Sequence, residues 1–108
     1  MNVILRELLE YETENGRCPF SEWLDGLKDI TTRAIIRKRL NRIRMGNFGN
    51  TSSVGKGVFE LKIDFGSGYR AYYGLDGDLL VVLLCGGYKG SQARDIQKAS
   101  EYWQDYRR

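Results

Sequence analysis

The stretch from Val58 to Gly90 most constrains the fold, because its pattern predicts three consecutive antiparallel strands. The first strand, VFELKIDF, alternates strictly between apolar and polar residues, which is typical of a strand with one buried face. The predicted core-facing side chains are Phe59, Leu61, Ile63 and Phe65, and the predicted outward-facing ones are Glu60, Lys62 and Asp64. A small antiparallel sheet is therefore the expected centre of the molecule.

Turn signals separate these strands. Gly66-Ser67-Gly68 precedes the second strand, YRAYYGL, and glycine readily adopts the positive φ of a tight turn. Asp76-Gly77 indicates a hairpin that leads to the third strand. This strand carries an apolar run at positions 79–84, which favours a central strand buried on both faces. Residues 86–90, GGYKG, are predicted to form a glycine-rich loop.

The polar face of the first hairpin has two interpretations. A three-residue turn would place Asp64 opposite Arg70 and Lys62 opposite Tyr72, so these four side chains would share one face. The face is either a solvated surface, with an ion pair worth less than ~1 kcal/mol, or a functional surface that gathers cations and a phenol. The strands alone leave both interpretations open.

Composition limits the chemistry of any site. The 108 residues predict a single domain, 1–108, and their net charge of +3 is too small to prove a nucleic-acid partner. Histidine is absent, which excludes a histidine base or metal ligand. Cys18 and Cys85 lack the spacing of a zinc site, so no metal and no cofactor are expected. Free cysteines, the lack of a leader and the lack of a long apolar run predict a cytoplasmic protein without membrane contact.

Three helices are predicted around the sheet. The segment Asn2–Glu12 fits either a helix or an edge strand, a helix begins at Pro19, and a second helix covers Thr32–Met45. Phe48–Gly57 is predicted as a loop, and Gln92–Tyr106 as the last helix. The apolar stripes of the three helices are Phe20, Trp23, Leu24 and Leu27; Ile36, Leu40 and Ile43; and Ile96, Ala99, Trp103 and Tyr106.

The second helix is strongly basic. Arg33, Arg37 and Arg44 are spaced for one helical face, and further cations widen it, namely Lys38, Arg39 and Arg42. No acidic residue occurs between positions 34 and 50 to offset their repulsion. The surface either contacts phosphates or an acidic partner, or it is a solvated face that keeps the chain soluble.

Four segments of the sequence resemble one family. They are CPFSEWL at 18–24, LNRIRMGNFG at 40–49, VFELKIDFGSGYRAYY at 58–73 and LLCGGYKGSQARDI at 83–96. In this order they resemble the RelE/ParE superfamily of bacterial toxins, and within it the HigB-like addiction module killer proteins. The resemblance implies an α+β, RelE-like fold: a small antiparallel sheet, made of an N-terminal strand and a three-stranded meander, packed on two N-terminal helices and followed by a C-terminal helix.

The resemblance also implies a function. Many relatives are toxins of type II toxin–antitoxin modules that cut messenger RNA on the ribosome by attack of the ribose 2′-OH on the adjacent phosphate. The expected partners are the ribosome, messenger RNA and a cognate antitoxin, a small helix-turn-helix protein from the same operon. The alternatives are a ParE-like gyrase inhibitor and an inactive module that only binds its antitoxin.

The family motifs suggest site residues. Lys62, Arg70 and Lys89 match the basic positions of the ELK strand, the GYR motif and the GG-x-K-x-x-Q loop, and Gln92 matches the glutamine of that loop. Tyr72 is added to the candidate site from strand register alone. Tyr88 stands at a position where this branch of the family commonly has aspartate. The expected catalytic residues are therefore Lys62, Arg70, Lys89, Tyr72 and Tyr88, and the expected residues for RNA or partner binding are Arg33, Arg37, Arg42, Arg44 and Gln92.

Overall fold

A computed structural model describes residues 4–108 of the chain. The elements in order are β1 (Glu7–Glu10), α1 (Pro19–Gly26), α2 (Ile30–Arg44), β2 (Thr51–Gly55), β3 (Val58–Ile63), β4 (Tyr69–Asp76), β5 (Leu80–Tyr88), a 3₁₀ turn (Lys89–Ser91) and α3 (Gln92–Tyr106). The fold is α+β, as predicted. Within these described ranges, no helix is long and apolar enough to cross a membrane.

The strands form one five-stranded mixed sheet in the order β1-β5-β4-β3-β2. The meander β3-β4-β5 is confirmed, but the sheet is not purely antiparallel, because β1 pairs in parallel with β5. Residues 7–10 of the ambiguous N-terminal segment are this strand, while Asn2 and Val3 lie outside the described residues. A parallel β1 is possible because α1 and α2 supply the long crossover that such a pair requires.

Strand β2 corrects the prediction of a loop at Phe48–Gly57. It is a polar edge strand, TSSVG, that pairs with β3 through a turn at positions 55–57, where all three φ angles are positive. A short strand with few apolar residues has no alternation to reveal it. Its hydrogen bonds to β3 make it a strand.

The register between β3 and β4 differs from the predicted one by two residues. Lys62 lies opposite Arg70, and Glu60 lies opposite Tyr72, because the connecting turn spans residues 64–68. Side chains alternate with a period of two, so this shift leaves every residue on its predicted face.

One face of the sheet packs against α1 and α2. This predicted core is confirmed, with Leu61, Ile63 and Leu40 buried and with Phe59 and Trp23 packed at its margin. Helix α2 is capped by Asp29, whose side chain accepts a hydrogen bond from the backbone N–H of Thr31 at 3.0 Å. The other buried members of this cluster are Phe20, Leu24, Ile36, Ile43, Ala71, Tyr73, Val81 and Leu83.

The opposite face is covered by α3 and is not a solvated surface. Tyr72 is fully buried there, and Ala99 and Trp103 of α3 pack over the sheet. Strand β5 is buried on both faces, as its apolar run predicts, and it continues through Gly86 and Gly87, which were expected in a loop. The predicted C-terminal helix is confirmed at Gln92–Tyr106.

Candidate functional site

A shallow cavity opens where β3 ends and β4 begins. Arg70 and Lys89 line it together with the turn residues Asp64, Phe65, Gly66, Ser67 and Gly68. The backbone N–H of Lys89 donates to the carbonyl oxygen of Gly68 at 3.2 Å, which ties the 3₁₀ turn to the β3–β4 turn. This contact brings the two predicted cations, from distant motifs, to one end of the sheet.

Gly68 leaves the cavity open. Its φ is +87°, and a Cβ built there would lie 3.7 Å from both the Arg70 Nη1 and the Lys89 Cβ. Any side chain would therefore be strained at this φ and would contact both Arg70 and Lys89. With glycine at this position, the space above the backbone stays open.

Lys62 lies on the same face of the sheet as Arg70 but does not line this cavity. It is the ladder partner of Arg70, and opposed residues share a face. Its side chain is half-buried at the end of β3. The structure therefore places Lys62 and Arg70 side by side, and Arg70 between Lys62 and the turn that carries Lys89.

Arg70 is much more buried than an arginine on a solvated face. It is 8% exposed, and its Nε has no hydrogen-bond partner among the described residues. Its Nη1 donates to the carbonyl oxygen of Tyr69 at 3.4 Å, and its Nε lies 3.8 Å from the Oε1 of Glu60. The ion pair expected between Asp64 and Arg70 is absent from the ion pairs of residues 4–108, and Glu60 takes its place.

Glu60 is the residue that sequence reasoning missed. Its side chain is 1% exposed, and its Oε2 accepts hydrogen bonds from the Tyr72 hydroxyl at 3.1 Å and from the Gln92 Nε2 at 2.7 Å. The alternation of VFELKIDF put Glu60 on the outward face, where a glutamate is normally solvated. The only signal available in the sequence was that Lys62, Arg70 and Tyr72 share this face.

Tyr72 does not fit its predicted role as a proton donor. Burial, followed by the charge of Glu60, raises the pKa of Tyr72 above its ordinary value, and its hydroxyl is already committed to that carboxylate. Gln92 is likewise bound to Glu60 instead of being free for RNA. Both side chains hold Glu60 and do not line the cavity.

Tyr88 is exposed at the end of β5 but does not line the cavity. Its side chain is 52% exposed, and a Cβ at Gly90 would lie 2.5 Å from its Cε2, so the ring lies against Gly90. Its backbone pairs with Tyr69 across the β4–β5 ladder. The phenol is thus exposed at the same end of the sheet as Lys89, but this pairing gives it the face of Tyr69 and not that of Arg70.

The basic residues of α2 form a separate surface. Arg37, Arg42 and Arg44 are exposed, whereas Arg33 is half-buried and its guanidinium donates to the carbonyl oxygen of Leu27. Arg37 also lies 3.5 Å from Asp25. Helix α2 packs on the face opposite to that of Arg70, so the α2 cations and the cavity do not form one continuous site.

Other chemistry is not indicated by the described side chains. Residues 4–108 contain no cluster of ligands that could hold a metal ion, and both cysteines are free. Burial raises the pKa of the Cys85 thiol to about 12, which is typical of an inert core cysteine.

Comparison with known proteins gives one clear relationship. No family model matches the chain. A protein of Haemophilus influenzae described as uncharacterized is 48% identical over 80 residues, which cover 74% of this chain and 81% of that protein. Identity at this level over most of both chains shows that this chain belongs to the same family as the uncharacterized Haemophilus influenzae protein.

Proposed function

We propose that this protein is the toxin of a type II toxin–antitoxin module and a ribosome-dependent messenger-RNA endoribonuclease, with a RelE-like fold. The observation that carries the proposal is the meeting of Arg70 and Lys89 at one open cavity, with Lys62 paired to Arg70. Three cations at one end of a sheet suit a phosphodiester substrate, because they offset its charge and the additional charge that develops during attack.

The proposed reaction is an internal transesterification. The ribose 2′-oxygen bonds to the adjacent phosphorus, its proton passes to Lys62 or Lys89, and the bond to the 5′-oxygen breaks. The products are a 2′,3′-cyclic phosphate and a 5′-hydroxyl. Arg70 stabilises the equatorial oxygens by paired hydrogen bonds, and Tyr88 gives its proton to the leaving 5′-oxygen.

The openness of the cavity supports the proposed dependence on the ribosome. The turn residues and Lys89 form an open surface, and within residues 4–108 none of the residues that line it closes over it. Orientation alone contributes several kcal/mol to catalysis. The ribosome would supply this orientation by holding messenger RNA against the cavity, so free RNA should be cut slowly. The protein would therefore act in the cytoplasm.

The proposed antitoxin, a small helix-turn-helix protein, would restrain this activity. The exposed cations of α2 are available for it, since Arg37, Arg42 and Arg44 lie on the surface and away from the cavity. Such a surface attracts an acidic segment at long range.

The decisive experiment maps messenger-RNA 5′ ends after induced expression. Lys89→Ala is the preferred variant, because its exposed side chain can be removed without disturbing the fold, whereas Arg70→Ala would empty a buried position. Wild type should produce new 5′ ends within translated messages, Lys89→Ala should not, and Lys98→Ala, which removes an exposed lysine from α3, should behave like wild type. Growth arrest by wild type without cleaved RNA would contradict the nuclease and favour a gyrase-type toxin.

A further inference from the structure

The Glu60 carboxylate is buried next to Arg70, which lines the cavity. Its Oε2 accepts two hydrogen bonds, one from Tyr72 of β4 and one from Gln92 at the start of α3. Its Oε1 is not occupied by these donors and lies 3.8 Å from the Nε of Arg70. Two elements of the fold therefore hold the carboxylate with one oxygen directed to the guanidinium.

Glu60 and Arg70 each offset the free-energy cost of burying the other's charge. A charge removed from water is costly unless it is paired, and both side chains are at least nine-tenths buried. Among the described residues, the Nε of Arg70 has no hydrogen-bond partner, so the nearby carboxylate is what offsets its charge on that side. With its Nε toward Glu60 and its Nη1 donating to the carbonyl oxygen of Tyr69, the guanidinium still lines the cavity.

We propose that Glu60 is a positioning residue that orients the Arg70 guanidinium toward the ligand in this cavity. The role of Arg70 on phosphate rests on the function proposed above, whereas the orientation rests on the contacts alone. Because Gln92 is the first residue of α3, the packing of that helix then determines the direction of Arg70 through the carboxylate.

The test uses Glu60→Gln, which keeps the size of the side chain and removes its charge. Asp95→Asn is the matched control, because Asp95 is also a buried carboxylate at the start of α3 but bonds to the Ser91 hydroxyl instead of Arg70. The first readout is the Nε–Hε signal of Arg70 in NMR spectra of the free protein. The signal should be ordered in wild type and in Asp95→Asn, and dynamically averaged in Glu60→Gln.

The second readout is cleavage on translating ribosomes. Glu60→Gln should lower kcat by about a hundredfold with KM unchanged, since a shift of roughly 1 Å in a group that acts in the transition state costs that much. Asp95→Asn should cleave at the wild-type rate. If wild type does not cleave, the proposed function fails, and the Arg70 signal still decides whether Glu60 positions it.

Two results would overturn the inference. One is an Arg70 signal that is equally ordered in Glu60→Gln and wild type. The other is full cleavage by Glu60→Gln in a preparation where wild type also cleaves. Should Glu60→Gln not fold, Gln92→Ala is the second variant, because it removes one of the donors that hold Glu60. Gln92→Ala should also make the Arg70 Nε–Hε signal more dynamically averaged than in wild type. An unchanged Arg70 signal in a folded Gln92→Ala variant would count equally against the inference.

Discussion

Lys62 and Arg70 are direct partners across the ladder between β3 and β4, so two cations face each other on one side of the sheet. Like charges at such positions destabilise a strand pair. Glu60 lies beside Arg70 and offsets part of this repulsion. A sheet that keeps two adjacent cations at a cost in stability is suited to binding an anion, where both charges are used.

Removing one of these cations should stabilise the fold. Lys62→Gln is expected to raise the free energy of unfolding by about 0.5 kcal/mol at low ionic strength, because it ends the repulsion with Arg70. The gain should disappear near 1 M salt, where screening acts over only about 3 Å. Urea unfolding at both salt concentrations measures this. A loss of stability at low salt would show that Lys62 packs favourably and does not repel its partner.

Core packing gives a second prediction. Leu61 is fully buried in the cluster between the sheet and α2, so Leu61→Ala should lower the free energy of unfolding by about 2–5 kcal/mol. Leu79→Ala is the control, because Leu79 is 55% exposed and its truncation should change stability by less than about 0.5 kcal/mol. Equal effects of the two variants in urea unfolding would contradict the assigned burial.

The face of the sheet on which each side chain of β3 lies could be predicted from the sequence, because the alternation of apolar and polar residues determines it. The predicted register was wrong by two residues, yet Leu61 and Lys62 lie on the faces assigned to them, since an even shift preserves the sides. The helices were predictable for a similar reason: their apolar stripes and caps are local signals.

The burial of the polar face could not be predicted in the same way. Glu60 and Tyr72 are covered only because α3 folds back onto the sheet, and the Gln92–Glu60 hydrogen bond that records this joins residues 32 positions apart. Strand patterns record alternation, and they do not record which element covers a face. The sequence therefore predicts candidate site residues by their type, whereas the contacts that Glu60 makes with Arg70 and Tyr72 depend on the tertiary structure.

A third prediction concerns Gly86. A Cβ at this position would lie 2.1 Å from the Cε3 of Trp23, so Gly86→Ala must displace the indole and should cost about 1–3 kcal/mol. Gly26→Ala is the control, since no atom lies within 4 Å of its Cβ position and its φ is not positive. That variant should be neutral or stabilise the protein by about 0.4–1 kcal/mol. Thermal unfolding of both variants tests the close contact between Gly86 and Trp23, and two equally stable variants would disprove it.

The pair of Tyr11 and Asp105 predicts an alkaline loss of stability. Burial and the 2.7 Å hydrogen bond to Asp105 raise the pKa of Tyr11 to about 12. The unfolded chain releases this proton near pH 10, so the contribution of Tyr11 is complete below about pH 10 and is lost as pH rises toward 12. Tyr11→Phe should be less stable than wild type at pH 8, and this difference should shrink at higher pH. A constant difference in urea unfolding would argue against the shift.

The exposed cations of α2 give the last prediction, which depends on an acidic partner. Arg37→Glu and Arg42→Glu together should weaken the complex with the proposed antitoxin by at least about tenfold, because they replace attraction with repulsion. Binding by the double variant should also depend less on salt, since fewer charge contacts remain to be screened. The control carries the same change in net charge on the opposite side, as Lys98→Glu and Arg107→Glu in and after α3. Calorimetric titration at low and moderate salt measures both effects. If both double variants bind alike, net charge and not the α2 surface governs the complex; if neither loses affinity, α2 is free to face ribosomal RNA.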